Sequence, residues 1–189
     1  MNTALSPWAQ RLISEFDSAD LRAQKLAKGL SVAQLNWRPR QDAWGVGQCL
    51  QHLFITNEVY LPAIAAAFNG VQRSQVQEIA PGWFGRWFIR TYITPSSKSA
   101  RAKAPKKIEP GRQVEDSILE SFLRSNQEAR AVVREASDYD VNNIRFKNPF
   151  LPFLRFTAGT GLEIVSKHQD RHLLQAERVK ESPDFPKQC

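Results

Sequence analysis

The chain has three histidines, and two of them, His168 and His172, stand four residues apart in 167-KHQDRHLLQAERV-179. The segment contains no helix breaker. Helical spacing then projects both imidazoles from one face in adjacent turns, where they can share a metal ion. A surface pair of this kind is ordinarily no more than solvated polarity, so the surroundings decide. At ~100° per residue, the face that carries His168 and His172 also carries Gly161, Ile164, Val165 and Gln175, which is largely an inner face. The third histidine, His52, lies within another helical pattern whose inward side includes Cys49, Leu53 and Tyr60. Helical bundles build metal sites from inward side chains on facing helices. His52, His168 and His172 are therefore read as ligands of one divalent ion. The pattern is not the H-E-x-x-H of the zincins, because Gln169 follows the first histidine, has no proton-accepting carboxylate and points off the site on the helical wheel.

Three neutral imidazoles leave a divalent ion its full charge and at least one open position. That is the form of a catalytic site, since structural zinc sites are closed by four protein ligands. Nitrogen ligands suit zinc and nickel alike. An open position can take water and lower its pKa to about 7, or take a thiol and hold it as the nucleophilic thiolate. Hydrolysis usually wants a general base beside the metal. The positions expected to face the metal are Gln48, Thr56 and Gln175, with no carboxylate, which favours the thiol route. Gly161 on the same face is expected to leave room for a bound group. Gln175 is open to two roles, orienting a ligand or packing between helices. Cys49, one turn from His52, reads as a small buried core residue.

Four long helical patterns must position these groups. The first runs from about Pro7 to Lys28, with Ser6 as N-cap, Pro7 at the first helical position and Gly29 as the stop. A short turn at Ser31–Leu35 and the loop 36-NWRPRQDAWG-45 follow. The second pattern runs from Val46 to Phe68, with a kink or break expected at Pro62 and an end at Gly70. The third runs from Val114 to Ala136, with Ile118, Leu119, Phe122, Val132 and Val133 inward. The fourth runs from Gly161 to Lys180, after an irregular aromatic stretch, 149-PFLPFLRFTAGT-160. No period-two strand pattern competes with these, and no repeat is present. The expected fold is all-α, a four-helix bundle with a long insertion between helices 2 and 3, in a single domain over 1–189. The insertion, 71–113, contains 83-WFGRWFIRTYI-93, read as a short helix, and the Ser/Lys/Pro-rich stretch 95–110, read as loop.

The net charge of +7 is local. Residues 71–113 hold nine Lys/Arg against two acids, Glu78 and Glu109, whereas the rest of the chain is balanced. Trp83, Phe84, Trp87, Phe88 and Tyr92 interleave there with Arg86 and Arg90, a pattern compatible with single-stranded nucleic acid or an anionic membrane surface. The plainer reading is preferred: the aromatics cap one end of the bundle and the lysines are simply solvated; a milder functional version has the patch attract an anionic thiol or substrate towards the metal. No nucleic-acid partner is expected. No apolar run is long enough to span a bilayer. No secretory leader is evident in the first residues, and the two cysteines, Cys49 and Cys189, are placed poorly for a structural disulfide. A reducing, cytoplasmic location is expected.

Taken together, these residues resemble the DinB-like (DinB/YfiT) superfamily, whose members are four-helix bundles with one histidine on the second helix and an H-x-x-x-H pair on the fourth. The matching positions are His52, His168 and His172. The resemblance extends over 35-LNWRPRQDAWGVGQCLQHL-53 and over 168-HQDRHLLQAERV-179 with the following Phe185-Pro186, and helix order agrees across most of the chain. One departure is Gln48, where many relatives carry an acid. The resemblance implies a metal-binding protein, often a homodimer. It implies either a thiol S-transferase or thiol-dependent isomerase acting on a small-molecule thiol and an electrophile, or a metal-dependent hydrolase. A non-enzymatic metal or small-molecule binding protein is the third reading.

Overall fold

The computed structural model describes residues 4–94, 104–151 and 153–187. Of the expected features, part of the 95–110 loop and Cys189 lie outside the described residues. The architecture is mostly helical, as the apolar stripes require. Helix α1 spans Pro7–Ala27, α2 Val32–Leu35, α3 Val46–Ala65, α4 Trp83–Phe88, α5 Ile118–Ala136 and α6 Ala158–Lys180. The four long helices form the bundle. α3 packs on α5 and α6, α1 packs on the same two, and α1 and α3 share the diagonal.

Local chemistry sets most of the helix ends. Pro7 opens α1 and Gly29, at φ 81°, turns the chain after it, a conformation open to glycine because it lacks a Cβ. Ser6 has the extended backbone of an N-cap, yet its side chain makes no capping bond. Its buried hydroxyl instead meets the Ser137 hydroxyl at 3.0 Å, and the same Ser137 oxygen accepts from the Ser6 N–H. Ser31 and Gln34 close a capping box around α2. α3 does not break at Pro62. It continues to Ala65 and tightens into a 3₁₀ turn, Ala66–Phe68.

Two helices differ from their expected starts. α5 begins at Ile118, four residues later than expected, because the backbone of Val114 is held outside the helix by the Asn36 amide, which accepts from its N–H and donates to its carbonyl, both at 2.8 Å. α6 begins at Ala158, three residues earlier, capped by the Thr157 hydroxyl. A further departure is a two-stranded antiparallel hairpin, β1 Arg145–Lys147 and β2 Arg155–Thr157, with Phe146 opposite Phe156. Three-residue strands are too short to carry a readable alternation. Both phenylalanines are buried, and Phe84 and Phe88 of the insertion pack on Phe156 at 5.8 and 5.2 Å between ring centroids.

The core divides along the bundle. One apolar cluster gathers Leu12, Phe16, Tyr60, Ile64, Val133 and Leu162. The other gathers Leu26, Leu50, Leu53, Phe122, Leu173 and Cys49. Between their positions along the helices lies a buried polar layer to which all four long helices contribute. Asn126 of α5 exchanges bonds with Gln169 of α6, accepts from Asn57 of α3 and donates to Asp20 of α1, which also takes Arg130 at 2.7 Å. Among the described residues no buried side-chain nitrogen or oxygen lacks a partner.

Candidate metal centre

α3 carries His52 and α6 carries His168 and His172, and the packing of these two helices brings the three imidazoles together. Their ring centroids are 4.6–4.8 Å apart, and one ring nitrogen from each lies within 4.8 Å of the others. His52 and His172 are buried, while His168 keeps partial solvent contact.

The hydrogen bonds set the tautomers. His52 Nδ1 lies 2.7 Å from the Ile108 carbonyl, which can only accept, so Nδ1 carries the proton and Nε2 offers a lone pair. His172 Nδ1 lies 3.0 Å from Gln175 Oε1 and donates to it, so its Nε2 is also free. This is the arrangement by which outer partners orient metal-ligating histidines. His52 Nε2 and His168 Nε2 are 3.1 Å apart. Two nitrogens bound at ~2.05 Å around a tetrahedral ion would be separated by about 3.3 Å. The donor set and its spacing therefore fit a divalent ion.

Electrostatics reinforces the fit. Burial pushes His52 down to about 4, against an opposing pull from the Ile108 bond. Burial, with repulsion from His52 and Arg171, pushes His172 down to about 3, opposed by the Gln175 bond. His168 is held well below its usual range by burial first, then by His172, His52 and Arg171. All three are neutral at pH 7, the state a metal ligand needs. The group contains no carboxylate or thiolate among the described residues.

The same shifts predict a pH response. In chelator, the folded state keeps His52 and His172 neutral while the unfolded chain protonates near pH 6.5. Stability should therefore be full above about pH 6.5 and fall as pH drops toward 4, with each group contributing about 1.4 kcal/mol per pH unit inside that window. Urea unfolding at a series of pH values checks this. A flat profile between pH 7 and 5 would contradict it.

Several side chains near the centre behave differently from their sequence reading. Gln48 does not face the metal. Its carbonyl oxygen accepts from Gly45 N–H at 2.9 Å and its amide donates to the Arg112 carbonyl at 3.1 Å, so it closes the start of α3. Thr56 bonds back to the His52 carbonyl within its own helix. Gly161 makes room for core packing, not for a ligand: a Cβ there would lie 2.6 Å from the Phe146 ring and 3.0 Å from Ile64. Gly161→Ala should accordingly cost about 1–3 kcal/mol by overpacking without changing metal affinity; thermal melts and metal titration of that variant check both parts. Gln175 orients His172. Gln169 points away from the centre, into the polar layer, and Cys49 is fully buried in the apolar core, where burial pushes its thiol up.

Three contributors were missed in the sequence. The Ile108 carbonyl carries no residue-type signal. Trp44 lays its ring 4.7 Å from His52 and 5.5 Å from His172; its place in the loop just before α3 was the available hint. Arg171 donates to the Tyr92 carbonyl at 3.2 Å and adds positive charge beside the imidazoles. The insertion thus borders the centre twice, at Tyr92 on α6 and at Ile108 on α3. Its aromatics do pack at one end of the bundle through Phe84 and Phe88, although Trp83 and Trp87 are exposed. No described helix is long and apolar enough to cross a membrane.

Comparison with known proteins agrees with this geometry. The family model of the DinB superfamily matches residues 15–176, most of the chain and all three histidines. The chain belongs to the DinB superfamily. Among its DinB relatives is the uncharacterized protein YuaE of Bacillus subtilis (strain 168), 23% identical over 176 residues that cover 89% of this chain and 97% of that protein. No solved structure matches this DinB protein significantly.

Proposed function

We propose that this DinB protein is a metal-dependent thiol S-transferase, with zinc or nickel held by His52, His168 and His172, and that it works in a reducing cytoplasm, as a homodimer in keeping with the family resemblance. The observation that carries the reading is the make-up of the centre: three neutral imidazoles, a nearby arginine and, among the described residues, no carboxylate in the cluster. A bound divalent ion supplies the Lewis acidity that favours thiolate over thiol at neutral pH. The protein's own groups do the rest. Ile108 and Gln175 fix the two imidazoles so that no reorganisation is needed when a ligand arrives. Arg171 favours an anionic sulfur over its neutral form. Trp44 packs at a tilt against His52 and His172 and helps hold both rings in place. In the transfer, the sulfur lone pair forms the new bond to the electrophilic carbon, the leaving group departs with its bonding pair, and the thiol proton passes to solvent. Among the described residues the cluster itself holds no carboxylate to act as a base for water.

The test compares conjugation of glutathione and bacillithiol to monochlorobimane with hydrolysis of a nitrophenyl ester, using zinc- or nickel-loaded protein. Conjugation should exceed hydrolysis, and both should vanish in His52→Ala. Faster hydrolysis without any thiol would make the protein a hydrolase. Silence in both assays with metal bound would make it a binding protein.

A further inference from the structure

A second feature is formed by the loop before α3 and the chain around Arg112. A solvent-open cavity of about 710 Å³ is lined by Asn36, Arg38, Arg40, Gln41 and Arg112. Three of its five lining residues are arginines. Arg40 pairs with Asp42 at 3.2 Å, both well exposed. Arg38 donates to the Arg112 backbone carbonyl, and among the described residues neither Arg38 nor Arg112 has a carboxylate within ion-pairing distance. Guanidinium groups left without acids around a cleft present forked donors matched to carboxylate and phosphate oxygens.

Two stretches of chain join the residues of the cleft to the histidine centre. The loop that supplies Arg38, Arg40 and Gln41 ends at Trp44, whose ring rests against His52 and His172. The chain that supplies Arg112 runs along α3: the Ile108 carbonyl meets His52, the Gly111 N–H meets Gln51 and the Arg112 carbonyl meets Gln48. Gln48 precedes His52 by one helical turn, a rise of about 6 Å. Arg112 therefore lies against the first turn of α3, where the helix dipole also favours negative charge.

We propose that this cleft binds the anionic group, a carboxylate or a phosphate, of a small molecule whose reactive end reaches the three histidines. The molecule spans on the order of 6–10 Å between those two ends, one helical turn plus side-chain reach. Its identity as a thiol rests on the function proposed above; the binding of its anionic group does not.

Calorimetric titration of the zinc-loaded full chain tests this, with mercaptohexanoate, whose thiol and carboxylate stand at opposite ends of a six-carbon chain, as an anionic thiol and mercaptohexanol as the neutral one of equal length. Mercaptohexanoate should bind at least about tenfold more tightly, the scale of one charge-assisted hydrogen bond. Arg112→Gln and Arg40→Gln, both exposed side chains, should remove most of that preference and leave mercaptohexanol unchanged. Succinate and inorganic phosphate, which lack sulfur, should compete with mercaptohexanoate, and the better competitor names the anion class. If thiol transfer fails in the assay above while succinate or phosphate still binds and weakens in Arg112→Gln, the cleft stands and the thiol reading falls. Equal affinity for the charged and neutral thiols, or equal binding of succinate and phosphate by wild type and both variants, overturns the proposal.

Discussion

Replacing Asn126 by leucine should lower stability by about 3–5 kcal/mol, the range for breaking a buried charged or polar network by removing one partner. The side-chain amide of Asn126 is fully used. Its nitrogen donates to Asp20 at 2.7 Å and to Gln169 at 3.1 Å, and its oxygen accepts from Asn57 at 3.0 Å and Gln169 at 2.6 Å. Leucine fills the space but leaves two amides and one carboxylate oxygen without these partners. Asn57 keeps its bond to Ser125 and Asp20 its bond to Arg130, but each group has given up hydration on folding for a partner it no longer has. For a chain of this size the melting temperature should fall by about 6–20 °C. The double variant Asn126→Leu with Gln169→Leu should recover part of the loss, because removing both partners abolishes an unmet demand. Urea unfolding followed by circular dichroism measures both. A single-variant loss under about 1 kcal/mol would mean that water satisfies the layer.

His168→Ala should weaken divalent-metal binding by at least about 100-fold, more than the loss typical of an outer partner, and His172→Ala should do the same. Neither change should unfold the bundle. The apolar clusters around Phe16 and Phe122 are assembled without help from the imidazoles, and burial of such faces supplies most helix stability. Metal titration in competition with a colorimetric chelator gives the affinity, and far-ultraviolet circular dichroism gives the fold. If chelation of the wild type alone unfolded the chain, the centre would be structural and catalysis would lose its support.

The bundle was legible in the sequence because Leu12, Phe16, Leu26 and their counterparts on the other helices repeat at helical spacing. The centre was legible because histidine is rare here and two of the three sit one turn apart. What escaped notice had physical reasons. Asn57, Asn126 and Gln169 are polar residues, and a helical wheel assigns such residues to the solvent face unless a partner on another helix is known. The Ile108 carbonyl orients His52, and a residue of any type at that position could have supplied it. The late start of α5 depends on a long-range clasp between Asn36 and Val114. Gly161 was read as space for a ligand, whereas the space is taken by Phe146 from a hairpin whose strands are three residues long.

The most direct measurement of the central claim is X-ray absorption at the metal edge, on full-length protein purified without a histidine tag and reconstituted with zinc or nickel. One ion per chain with three imidazole nitrogens at ~2.0–2.1 Å is predicted, with the imidazole signal reduced in His168→Ala. A shell of oxygen or sulfur ligands without imidazole, or the same spectrum in wild type and His168→Ala, would contradict it.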